Sequence, residues 1–139
     1  MNESGIAKAG WRTIPEQSLC EAFDDNVATV WTAKEQQKEL CIDIGKVTDI
    51  LSVIYTPPAN ISNGLITKYE IYVSQSPDKW GEIVSKGEFG NIRNNPLPQT
   101  VRFEQQMKGR YIRFVATETV ENSPMTVAEL DIISHKNLN

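Results

Sequence analysis

Asp24, Asn26 and Thr29 stand at the spacing D-x-N-x-x-T within the run Ala22-Phe23-Asp24-Asp25-Asn26-Val27-Ala28-Thr29-Val30-Trp31. Asp and Asn accept the sharp backbone bends of a turn. Carboxylate, carbonyl and hydroxyl oxygens are the ligands a hard cation such as Ca²⁺ prefers. The spacing therefore suits a calcium loop pinned to a sheet by Trp31. It also suits a polar turn with no metal, the commoner origin of such a pattern. An EF-hand is excluded even though Asp24, Asn26 and Glu35 fit positions 1, 3 and 12 of its loop. Position 6 would be Thr29, where that loop needs Gly, and neither flank reads as a helix.

Other reactive residue types are scarce. The one histidine, His135, lies in the polar tail, where a solvated side chain is the ordinary reading. Without a second histidine, Ser–His and Cys–His arrangements have no support. No H-E-x-x-H, Walker loop or G-x-G-x-x-G occurs. The 18 acidic residues make chance carboxylate pairs unavoidable, so none marks a glycosidase centre. The chain reads as a non-enzyme. Two cysteines, Cys20 and Cys41, lack metal spacing, and we expect two free thiols.

The 139 residues suit one domain with a sizeable core. Hydrophobic residues make up 40% and charged residues 23%, an ordinary globular balance. Net charge is −4 and the basic residues are scattered, which argues against nucleic acid. No apolar run approaches the ~20 residues of a membrane span. The start, Met1-Asn2-Glu3-Ser4-Gly5, carries no apolar signal-peptide core, so the chain reads as cytoplasmic or as a piece of a longer exported protein.

The elements that must position the turn are strands. Leu40, Ile42 and Ile44 alternate with Cys41 and Asp43, which predicts a half-buried strand. Asp49–Tyr55 is more continuously apolar and suits the middle of a sandwich. Further strands are expected at Gly10–Ile14, Ile66–Ser74, Trp80–Glu88, Thr100–Phe103, Arg110–Ala116 and Thr126–Ile133. Pro57-Pro58, Asn63-Gly64, the Gly90–Pro98 stretch and Lys108-Gly109 read as loops or turns. No helix of three turns is expected. This pattern predicts an all-β antiparallel sandwich.

Four blocks together resemble a known family. They are the Ala22–Trp31 run, Leu40–Gly45, Ser62–Ser74 with Trp80, and Arg110–Phe114 with Val127–Leu130. In this order they are similar to a discoidin domain, also called the coagulation factor V/VIII type C domain. Within it they most resemble the family 32 carbohydrate-binding modules appended to secreted bacterial glycoside hydrolases. Ala9-Gly10-Trp11-Arg12 is similar to the start of such a module on a hexosaminidase-type (chitobiase-type) enzyme.

The resemblance implies a jelly-roll, galactose-binding-domain-like β-sandwich over 1–139, cut from a longer extracellular or periplasmic enzyme and monomeric in isolation. It implies one structural Ca²⁺. Asp24 and Glu129 would supply carboxylates, Thr29 hydroxyl and carbonyl oxygens, and Glu21, Asn26 and Ala128 backbone carbonyls. Asp25 stands where the family has Gly, a position Asp tolerates. The implied partners are a glycan and the parent catalytic domain.

The sugar-binding side departs from the family. Pro58 aligns with an Arg and Thr32 with a His of the galactose-binding members, and the Val120–Met125 loop has no aromatic. Pro cannot give the bidentate hydrogen bonds of Arg. What remains on the loops is Thr32, Lys34, Asn60, Asn63 and Asn122. Two functions follow: an accessory module for a glycan other than simple galactose, or a structural or protein-interaction domain. A phospholipid-binding variant would need Ile61, Leu65 and Leu97 as apolar spikes. Trp11, Trp31 and Trp80 read as core.

Overall fold

A computed structural model describes residues 3–8, 10–14, 20–34, 38–59, 63–90 and 92–135. Among them the strands are β1 (Glu3–Gly5), β2 (Arg12–Thr13), β3 (Trp31–Thr32), β4 (Glu39–Thr56), β5 (Ile66–Ser74), β6 (Ser85–Glu88), β7 (Gln99–Thr119), β8 (Thr126–Val127) and β9 (Glu129–His135). The helical content described is two single turns, Glu21–Phe23 and Val120–Asn122. The pairings are antiparallel throughout.

Two long strands make the sandwich. The first half of β4 lies between β2 and the second half of β7, which pairs onward to β5 and β6. The second half of β4 lies between β9 and the first half of β7, and β9 also carries β1. Each long strand thus serves both layers. The change falls at two register shifts, between Asp43 and Thr48 and between Ile50 and Ser52, the first with extra residues on β4 and the second on β7. A bulge bends and twists a strand, which lets it turn such a corner. Sequence reading divided β4 into Leu40–Ile44 and Asp49–Tyr55, and β7 into Thr100–Phe103 and Arg110–Ala116. The corner residues supply the break in pattern without ending either strand.

Two further expectations are corrected. Lys108-Gly109 is strand, not turn, with Gly109 opposite Thr48. A Cβ on Gly109 would stand 2.4 Å from Val73 Cγ1, so the glycine serves close packing. The strand expected at Trp80–Glu88 is confined to Ser85–Glu88, since Trp80, Ile83 and Val84 do not keep period two.

The core forms where the alternation placed it. Leu40, Ile42, Ile44, Ile50, Val53, Ile71, Ile112, Phe114, Leu130 and Ile132 are all buried. Tyr55 lies among them with no exposure, beside Phe89 and Phe114 at ring distances of 5.6 and 5.7 Å. Its hydroxyl donates to the Thr126 carbonyl at 2.8 Å and accepts from the Ile66 N–H at 3.3 Å. One core side chain thereby ties β4 to β8 and β5. Trp11 belongs to the core, while Trp31 packs against it half-buried and Trp80 is half-buried. Cys20 and Cys41 are free thiols. Among the described residues no helix is long and apolar enough to cross a membrane.

Candidate functional site

The polar turn follows the Glu21–Phe23 single turn, whose Ala22 and Phe23 are buried. Phe23 meets Trp11 edge-on at 5.6 Å, which anchors the turn to the sandwich. Asp24 Oδ1 accepts from the Asn26 N–H and Asn26 Oδ1 from the Ala28 N–H, each at 3.0 Å. These local bonds are why Asp and Asn hold such a turn. Asp25 takes φ 58°, the left-handed conformation expected at its place.

The oxygens of the turn outnumber its protons. Thr29 Oγ1 lies 2.5 Å from Asp24 Oδ2 and 2.8 Å from the Asn26 carbonyl oxygen, with one proton to give. The hydrogen bond from Thr29, above all, holds the Asp24 carboxyl below its ordinary range; the Asn26 N–H and the nearby Glu129 carboxyl act in the same direction. Glu129 is 3% exposed, and its Oε1 is buried without a hydrogen-bond partner. A bare carboxylate oxygen in such a place costs free energy unless a cation meets it. Burial accordingly pushes the Glu129 carboxyl up. These residues fit an oxygen-liganded cation.

Of the six metal ligands expected, Asp24 is brought together with Thr29 and Glu129, and Thr29 with the Asn26 carbonyl. Glu21 opens the single turn, half-buried. Ala128 is buried, and its N–H donates to the Thr56 carbonyl at 2.9 Å, fixing the start of β9.

Three further participants, Asp25, Asp131 and Lys8, lie outside the expected ligand set. Asp25, Glu129 and Asp131 each offer a carboxylate oxygen, all within 4.8 Å of one another, a group that could hold a metal ion. This group is not the expected set; it shares only Glu129 with it. Lys8 Nζ sits in it, 2.7 Å from both Asp25 Oδ1 and Asp131 Oδ1 and against Glu129 Oε2. Burial disfavours the ammonium, but hydrogen bonds to Asp131, Asp25 and Glu129 outweigh it and raise Lys8 above its usual range. Nothing near Lys8 in the sequence signals this; the pairing of β1 with β9 brings it there.

The expected recognition residues lie at one end. Thr32 pairs with Thr126, and the Ala33 N–H donates to the Met125 carbonyl at 2.9 Å. Gly64 donates to the Val120 carbonyl at 3.1 Å and accepts from the Thr126 N–H at 3.0 Å. These bonds stitch three loops together and gather Thr32, Asn63 and Asn122, all exposed, with the exposed Lys34 beside them. Asn60 lies outside the described residues. Asn122 Oδ1 accepts from Lys38 Nζ at 2.6 Å, and Arg93 pairs with Glu121 at 3.6 Å. Glu121 and Asn122 hold φ 58° and 53°, conformations that tend to cluster where a protein binds. Leu65 is 1% exposed, so it cannot be an apolar spike; Leu97 is 56% exposed and Ile61 is outside the described residues.

A jelly-roll sandwich of this kind, with its loops gathered at one end and an acidic turn at its side, has the architecture of a carbohydrate-binding module. The family model for the F5/8 type C domain matches residues 9–130, and the chain belongs to that family. It is similar to the family 32 carbohydrate-binding module of Clostridium perfringens NanJ, solved in complex with galactose. There the identity is 25% and the TM-score 0.77, covering 95% of this chain and 99% of that one. A second Clostridium perfringens module of that family, in complex with GalNAc-β-1,3-galactose, is 22% identical with a TM-score of 0.79, covering 93% and 99%. The C-terminal domain of a Bacteroides fragilis chitobiase is 19% identical with a TM-score of 0.76, covering 96% and 100%. No curated protein matches the chain.

Proposed function

We propose that this domain is a non-catalytic carbohydrate-binding module with a structural calcium, one part of a longer extracellular or periplasmic glycoside hydrolase. The observation that carries the sugar reading is the stitching of three loops into one polar end, with Thr32, Lys34, Asn63 and Asn122 exposed on it. Hydroxyl and amide groups suit the hydroxyls of a glycan, and the bound sugars of the NanJ module and its relative support that ligand class. Such a module acts by keeping its enzyme near the substrate, so weak binding is enough.

The calcium reading rests on Glu129, whose Oε1 is buried and unpartnered and whose carboxyl neighbours Asp24, itself crowded by the oxygens of Thr29 and Asn26. Asp24, Thr29 and Glu129 would hold the ion, with carbonyls from Glu21, Asn26 and Ala128. Calcium supplies charge there, not chemistry. It would clasp the turn to β9.

A second reading is a structural or protein-interaction domain, monomeric when isolated, that packs on its catalytic neighbour. The Lys38–Asn122 bond favours it, because it occupies a side chain expected to meet sugar.

A glycan array in calcium, followed by calorimetry on each hit, tests the first reading. Binding that is lost in Asn63→Ala is the expected result. Absence of any glycan hit, with a tight interface to the neighbouring domain in the full-length protein, would move the conclusion to the second.

A further inference from the structure

Lys8 lies three residues beyond the end of β1. Gly5 pairs with Ile133, and the Ile6 N–H donates to the Ile132 carbonyl at 3.0 Å. Continuing that register brings Lys8 level with Leu130, between Glu129 and Asp131 in the chain, and its side chain reaches both carboxylates. Its side chain is 6% exposed, unusual for a lysine in a small domain. The three N–H donors of an ammonium meet three carboxylates, two from β9 and one from the polar turn. Glu129 is thereby divided. Its Oε2 accepts from Lys8 and from the Asp25 N–H, while Oε1 has no partner.

We propose that Lys8 is a resident cation. Its ammonium fills the Asp25–Glu129–Asp131 group and keeps the turn closed on β9 when calcium is absent. It also weakens calcium binding at the neighbouring Asp24–Thr29–Glu129 oxygens. The second effect rests on the calcium reading given above; the first does not. The physical reason is shared charge. Three clustered carboxylates with no cation repel one another, and a buried ammonium relieves that repulsion. A fixed positive charge on the same carboxylate then opposes an incoming divalent ion. Lys8 makes the domain less dependent on calcium than the turn alone would be.

Lys8→Met, which keeps the apolar stem, tests this, with Lys8→Gln as the milder change should Met prevent folding. Melting in EDTA and calcium titration by calorimetry are the readouts. In EDTA the variant melts lower than the native domain. It binds calcium about tenfold tighter, and saturating calcium restores most of the lost melting temperature. Equal melting in EDTA, or calcium affinity unchanged or weakened, overturns the proposal. If the native domain binds no calcium, the calcium reading falls. The resident-cation role is then decided by melting in EDTA alone: a lower melting temperature for Lys8→Met supports it, and equal melting overturns it.

Discussion

The Asp25 N–H donates to Glu129 Oε2 at 3.1 Å across 104 residues of chain. This bond ties the polar turn to the first residue of β9. It makes the turn part of the tertiary structure instead of a local surface feature.

If those oxygens hold calcium, stripping the ion lowers the melting temperature, because only the folded state assembles the site. A ligand at a hundred times its Kd contributes about 2.7 kcal/mol, or roughly 10 °C for a domain of this size. Asp24→Asn and Glu129→Gln should each remove most of that response. Melting curves with and without EDTA give the answer, and identical curves for the native domain would rule calcium out.

Gly64 sits at φ +83°, and a Cβ there would stand 2.2 Å from the Pro124 carbonyl oxygen. That oxygen is backbone and cannot swing aside. Gly64→Ala should destabilise the domain by more than about 2 kcal/mol and open the loop end. Urea denaturation measures the first effect. Loss of any glycan binding shown by the native domain measures the second.

Tyr55→Phe keeps the ring packing and removes one oxygen. It strands the Thr126 carbonyl and the Ile66 N–H, both of which that oxygen serves. The expected cost is about 1–3 kcal/mol. A variant as stable as the native domain would mean that water takes the vacated place.

Asp43 is 4% exposed and accepts two hydrogen bonds from Arg110, at 2.7 and 3.0 Å. Arg110, above all, holds its carboxyl below the ordinary range, against burial. A depressed folded value contributes stability above the unfolded value, near about 3.9, and loses it as pH falls through the folded one. Asp43→Asn should therefore melt lower than the native domain at pH 7. The gap should narrow below about pH 4. A gap independent of pH would mean that the charge is not what matters.

Burial pushes both thiols up, to about 11 for Cys20 and for Cys41. The thiolate is the reactive form, so at pH 8 both should react slowly with a disulfide reagent. Unfolding in guanidinium should release two equivalents at once. Fast labelling of Cys20 in the native state would contradict its placement in the core.

Much of this domain is local information. Period-two alternation marks the buried faces of β4, β5 and β7 because a strand sends successive side chains to opposite sides. The D-x-N-x-x-T turn is legible because short polar side chains bond to their own backbone. The link from Asp24 to Glu129 is implied only by the family resemblance, since no local rule joins residues so far apart. Alternation does not say whether a strand ends or turns a corner, so β4 and β7 were each divided in two. Lys8 and Asp131 were invisible for the same reason. Only the β1–β9 register sets an ordinary lysine between carboxylates, and register is fixed by long-range burial and pairing. The sequence alone determined that a polar turn would stand at Asp24–Thr29. The tertiary structure decided that it would close on Glu129, with a lysine from the far end of the chain beside it.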